Sequence, residues 1–135
     1  MNRERKSIRA LIAKIGLDGH EIGMKVVSSF LREIGVEVVY LGPYQTAESV
    51  VNSAIQEGVD IIGLSFLGGD HLNHMPKVQR LLKSKGLKIP VIVGGVIPRQ
   101  DIQALKDMGV KEVFEAGSPL GKIENFIMSI DRNKR

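Results

Sequence analysis

The chain has 135 residues, of which 43% are hydrophobic and 25% charged, with 15 glycines and no cysteine. That length suits one domain and is too short for a (β/α)8 barrel, which needs about 200 residues or more. The missing cysteines exclude disulfides, thiolate metal sites and cysteine nucleophiles. The net charge of +4 sits at the ends, in Arg3, Arg5, Lys6 and Arg9 and in Arg132, Lys134 and Arg135, so that positions 10–130 hold 12 basic against 13 acidic residues. Residues 1–7 and 131–135 therefore read as basic tails around a domain at 8–130, and no aromatic platform points to nucleic acid. No apolar run approaches the roughly 20 residues of a membrane span, and no signal-peptide cleavage pattern follows the basic start. The expectation is a soluble cytoplasmic protein.

Apolar runs alternate with segments of helical period, as in a parallel sheet covered by helices. Ile8–Lys14 (IRALIAK) reads as the first strand. Next, Ile22, Val26, Phe30 and Leu31 share one stripe of a helix, expected to face inward and to end at Gly35. Glu37–Leu41 is the second strand, broken by Gly42-Pro43. Thr46 then opens a helix with Val50, Val51, Ala54 and Ile55 inward and Gly58 as its stop. Asp60–Ser65 (DIIGLS) is apolar on both faces, as a central parallel strand is. A helix from Met75 to Leu82 closes near Gly86, and Ile89–Val93 is the fourth strand. Arg99–Met108 is helical, Glu112–Glu115 a short fifth strand and Leu120–Ile130 an amphipathic last helix. Five βα units predict one doubly wound, Rossmann-like α/β domain, with the flavodoxin-like strand order 2-1-3-4-5 by analogy.

In such sheets ligands bind beyond the carboxyl ends of the strands, near the switch between strands 1 and 3. Four unusual segments fall there: Gly16–Gly23 (GLDGHEIG), Ser65–His71 (SFLGGDH), Gly94–Pro98 (GGVIP) and Ala116–Pro119 (AGSP). Seven of the 15 glycines lie in the first three, where a missing side chain lets backbone approach a bulky ligand. Asp18 and His20 stand two apart. A carboxylate beside an imidazole fixes its tautomer, leaving the other nitrogen to bind a metal or take a proton. His71 and His74 lie three apart beside Asp70, but the sequence places no third strong ligand with them. Neither a Walker lysine, nor G-x-G-x-x-G, nor a G-x-S-x-G elbow is present. Lys77 to Lys88 carries five basic residues and no acid, which suits a solvated helix face or a partner contact.

Three of these segments together resemble the cobalamin-binding domain of the vitamin-B12-dependent mutases, the methylmalonyl-CoA mutase family in particular. The signature reads Asp18-x-His20-x-x-Gly23, then 41 residues, Ser65-Phe66-Leu67, then 26 residues, Gly94-Gly95. The likeness runs from Ile8 to Ile130, and AKIGLDGH and VGGVIP are near-verbatim family strings. It implies adenosylcobalamin as cofactor, with His20 as the cobalt ligand displacing the cofactor's own dimethylbenzimidazole. Asp18 would hold the other N–H of that imidazole, and Lys14 would pair with Asp18. The displaced base would be buried beside Ser65, Leu67, Gly94 and Gly95. Gly19, Glu21, Ile22 and Gly23 would border the corrin, and Phe114, Gly117 and Ser118 the far side of the slot. The chain departs from the family at Phe114, where Tyr is frequent, at Ser118, where Thr is, at Phe66–Asp70, and at Ile22, which replaces a frequent Arg.

The resemblance implies the small subunit of an acyl-CoA mutase, an isomerase inactive alone, whose substrate occupies an acyl-CoA-binding barrel on a separate large subunit. Homolysis of the cobalt–carbon bond would start a radical rearrangement of the carbon skeleton. Two alternatives share D-x-H-x-x-G. One is a corrinoid methyl carrier, which generally has a helical cap where this chain begins its first strand at Ile8; the other is a non-enzymatic cobalamin-binding or delivery module.

Overall fold

Alternation along the strands divides the interior into two layers. The computed structural model describes residues 8–16, 19–66 and 69–133, with side chains as far as Ile130. The strands β1 (Arg9–Ile15), β2 (Glu37–Gln45), β3 (Ile61–Phe66), β4 (Val91–Gly95) and β5 (Glu112–Glu115) form one parallel sheet in the order β2-β1-β3-β4-β5, as expected. Helices α1 (Ile22–Glu33) and α5 (Leu120–Asn133) cover one face; α2 (Ala47–Glu57), α3 (His71–Ser84) and α4 (Arg99–Asp107) cover the other. No helix among the described residues is long and apolar enough to cross a membrane.

The α2/α3/α4 layer is filled. Leu11, Ala13 and Ile15, Ile62, Leu64 and Phe66, and Val91 and Val93 meet Val50, Val51 and Ala54, Met75, Val78 and Leu82, and Leu105. Each large aliphatic side chain taken out of water there contributes about 1.5–3 kcal/mol. The α1/α5 layer uses the alternate residues: Ala10, Ile12, Ile61, Ile92 and Phe114 face Met24 and Leu31 of α1 and Ile123 and Ile127 of α5. On this face the period of two also places Gly63 and Gly94. Strand pairing sets Gly63 between Ile12 and Ile92, and Gly94 between Ser65 and Phe114. Two glycines in adjacent strands leave a trough in the sheet surface.

Local chemistry explains the element ends. Thr46 Oγ1 accepts from the Ser49 amide and Ser49 Oγ accepts from the Thr46 amide, a reciprocal cap worth about 1 kcal/mol. Gly58 ends α2 in the left-handed region, at φ +61°.

Four expectations need correction. The second strand does not break at Gly42-Pro43: β2 runs on to Gln45, with register shifts where Ala13 meets Gly42 and where Ile15 meets Gln45. Proline is tolerated because β2 is an edge strand, and the shifts are bulges that re-aim its side chains. In α1 the buried positions are Met24, Ser28 and Leu31, while Ile22 and Val26 are 83% and 51% exposed. Ile55 is also largely exposed, one step round from the inward row Ala47, Val50, Val51 and Ala54. Helix α3 starts at His71 rather than Met75, keeping Pro76 inside it at the loss of one backbone bond.

Among the basic residues near the start, Arg9 belongs to β1. Its guanidinium donates to the Glu57 carbonyl at 2.6 Å and pairs with Glu37 at 3.4 Å. The tail at 1–7 lies outside the described residues, and α5 continues three residues past Ile130.

Candidate functional site

The trough left by Gly63 and Gly94 deepens into a cleft of about 810 Å³ that opens at the carboxyl ends of the strands. Ligand pockets commonly have roughly 300–1,000 Å³. Its walls are aliphatic: Ile12, Ile61 and Ile92 from the sheet, Met24 and Leu31 from α1, and Ile123 and Ile127 from α5. Its rim is formed by Gly19–Gly23, Gly95-Val96 and Ala116–Ser118. Lys14, Gly19, His20, Glu21, Ile22, Gly23, Ser65, Gly94, Gly95, Phe114, Gly117 and Ser118 all line this one cleft. Asp18 and Leu67, the other expected members, lie outside the described residues.

The two glycines after β4's valines differ in purpose. A Cβ on Gly94 would meet only the Phe114 carbonyl oxygen, at 3.5 Å, and would otherwise stand in the cleft. Gly94 supplies room. Gly95 has φ +119°, and a Cβ there would overlap the Phe66 carbonyl, which accepts a hydrogen bond from the Val96 amide at 3.0 Å. Gly95 thus lets the ends of β3 and β4 close on each other. Phe114 is nearly buried and packs edge-on against Phe126, ring centres 6.2 Å apart, which fixes the far wall.

His20 is exposed at the rim, while Lys14 lies below it at 2% exposure, on the cleft face of β1. A lysine that deep requires a compensating acceptor or charge. Beside His20, Glu21 accepts a hydrogen bond from the Tyr40 hydroxyl at 2.6 Å. Burial, and then that bond and the carboxylate's charge, push the Tyr40 phenol from 10.0 up to about 12. Ultraviolet titration should show this tyrosinate step near pH 12 and lose it in Tyr40→Phe. Because the folded-state value is the higher one, the stability it reflects is complete below pH 10 and is lost as pH rises through 12. An ordinary step near 10 for Tyr40 would contradict that bond.

His71 and His74 lie elsewhere. His71 is buried on the α2/α3/α4 side and its Nε2 meets Asp101 Oδ2 at 2.9 Å, tying α3 to α4. His74 stacks on Phe66. Neither lines the cleft.

Sequence reasoning missed the slot's walls and Tyr40. The aliphatic walls look like ordinary core, but Gly63 inside the apolar run DIIGLS was a usable signal, since an isolated strand glycine often marks a close approach or a ligand. The Tyr40–Glu21 contact joins residues 19 apart and leaves no local trace.

Residues 8–120 match the family model for the B12 binding domain. The chain is 46% identical over 124 residues to the 2-hydroxyisobutanoyl-CoA mutase small subunit of Aquincola tertiaricarbonis, covering 91% of each. It is 40% identical over 131 residues to the pivalyl-CoA mutase small subunit of Xanthobacter autotrophicus, covering 96% of this chain and 88% of that one. In structure it resembles a cobalamin-binding protein from Desulfitobacterium hafniense DCB-2, with a TM-score of 0.76 at 23% identity, over 90% of this chain and 60% of that chain. The last likeness concerns the fold; with the family match and the two full-length relatives beside it, the chain belongs to the B12-binding domain family.

Proposed function

We propose that the chain is the cobalamin-binding small subunit of a heteromeric acyl-CoA mutase, a cytoplasmic isomerase using the adenosyl form of the cofactor. The observation that carries this reading is likeness along nearly the whole of two mutase small subunits. The cleft supports it. A displaced dimethylbenzimidazole is flat and largely apolar, and needs a dry slot with a polar contact. Gly63 and Gly94 leave that space between aliphatic walls, Gly94 is a cradle that a Cβ would fill, and Ser65 adds a hydroxyl beside it. An exposed imidazole stands at the rim.

Adenosylcobalamin supplies a carbon radical by homolysis of its cobalt–carbon bond. The chain's own residues bind and orient. His20 would present a ring nitrogen to the metal. Asp18 would accept the bond of the proton-bearing nitrogen, fixing the tautomer, and Lys14 would balance Asp18's charge. Leu67 and Phe114 would wall the base, Gly95 keeps the strand ends together, and Gly117 and Ser118 would close the slot's outer end. Ile22, Val26 and Val96, exposed and apolar, border the mouth and exclude water once the site is covered. An acyl-CoA-binding barrel on the large subunit would cover it and carry the substrate.

The test is reconstitution with a mutase large subunit that lacks its own D-x-H-x-x-G domain, using branched acyl-CoA thioesters. Isomerisation that needs both chains and adenosylcobalamin is the expected result. Full turnover by the large subunit alone would overturn the proposal, as would methyl transfer from methylcobalamin loaded on this chain.

A further inference from the structure

The chain has two tyrosines, Tyr40 and Tyr44, and both reach from β2 to the segment that precedes α1. We propose that the bulged end of β2 is a clamp, in which Tyr40 and Tyr44 are positioning residues that hold Gly19–Glu21 so that His20 is presented before the ligand arrives. The proposal rests on the assignment of His20 as the cobalt ligand.

Three contacts at successive points carry it. The Gly16 amide donates to the Gln45 carbonyl at 3.0 Å. Gly19 packs so closely on the Tyr44 hydroxyl that a Cβ there would overlap it. The Tyr40 hydroxyl donates to Glu21 Oε1 at 2.6 Å, in the short range of a charge-assisted bond. Glu21 occupies the N-cap position of α1, yet its side chain makes no cap bond. Its carboxylate is committed to Tyr40 instead.

The far end of β2 is built to deliver these contacts. Tyr44, at φ +67°, is the one non-glycine residue in the left-handed region among those described. Such a conformation is strained and persists where the surroundings impose it. Burial does not impose it, since the side chain is 64% exposed. Gly42, at φ +81°, permits the bulge beside the Tyr40 ring and the Glu21 carboxylate, which a Cβ on it would touch at 3.5 and 3.8 Å. Gln45 Nε2 binds the carbonyls of Leu41 and Pro43 and stiffens the turn from within.

The physical benefit is entropic. A segment with Gly16, Gly19 and Gly23 has much backbone freedom to lose. Ordering it in advance removes that cost from binding.

The test compares Tyr40→Phe, Glu21→Ala and the double variant in the full chain. Amide hydrogen exchange is followed without ligand, and cob(II)alamin binding by absorbance and electron paramagnetic resonance. Tyr40→Phe is expected to weaken binding about tenfold, as the loss of one charged hydrogen bond implies. Exchange should quicken in Gly19–Gly23 while the sheet stays protected, and the double variant should bind no worse than Glu21→Ala. Unchanged affinity and exchange in Tyr40→Phe would overturn the clamp. So would exchange that rises throughout the sheet, because Tyr40 would then be an ordinary structural residue. Exchange in the ligand-free chain tests the clamp by itself, whereas a wild-type spectrum without protein nitrogen would instead remove the His20 assignment.

Discussion

His20→Ala is expected to weaken cobalamin binding by about a hundredfold and to leave the bound cobalt without a protein nitrogen. Loss of an outer partner alone costs about 10- to 100-fold at histidine–metal sites, so loss of the ligand itself should reach at least the upper end. The fold should not follow. His20 is exposed at the rim of the cleft, and substitutions at such positions usually stay within about 0.5 kcal/mol. The decisive comparison is therefore affinity against melting temperature in the same variant. A variant that melts like the parent but binds a hundredfold less has lost a ligand; one that binds like the parent shows that the cobalt is held from elsewhere.

The second large effect is expected at Gly94. Replacing it with Val places two methyl groups in the slot opposite Ser65 and Phe114, where a Cβ meets nothing closer than the Phe114 carbonyl at 3.5 Å. The ligand-free chain should tolerate this, since valine favours a strand and the space is open. Binding should not: a filled slot leaves the displaced base without its site, and forcing extra methyl groups into a packed interface costs about 1–3 kcal/mol, or up to roughly a hundredfold in affinity. Gly95→Val gives the contrasting result. Its Cβ collides with the Phe66 carbonyl, so that variant should lose stability as well as binding. Calorimetry with and without cobalamin separates the two. Equal melting temperatures for the Gly94 and Gly95 variants would contradict the division of labour.

The strand-end motifs were legible because their glycines interrupt strong apolar alternation at places where a doubly wound sheet exposes its ligand face. The apolar runs Asp60–Ser65 and Ile89–Val93 marked central strands, while the strand order came by analogy with flavodoxin-like sheets. What escaped depends on distant partners. Helix α1 is apolar over a wide arc that includes Ile22, Met24, Val26, Val27, Phe30 and Leu31, so periodicity does not tell which stripe meets the sheet and which borders a cleft. Gly42-Pro43 resembles a strand break, and becomes part of β2 because an edge strand needs no amide donor on its open side. Tyr40 and Tyr44 acquire meaning when β2 lies beside β1, which brings them to the segment around His20. The part of β2 beyond Leu41 thus adds Tyr44 and Gln45 to the contacts with the segment before α1.

The central claim is that this chain holds cobalamin through His20 with the cofactor's own base displaced. It is tested most directly by electron paramagnetic resonance of bound cob(II)alamin after labelling the protein's histidines with ¹⁵N. Only three histidines are present, and His71 and His74 lie off the cleft. The account predicts that the three-line nitrogen splitting of each cobalt line becomes a doublet, and that His20→Ala removes it. A three-line pattern unchanged by labelling would mean that dimethylbenzimidazole still binds the metal, and would contradict the account.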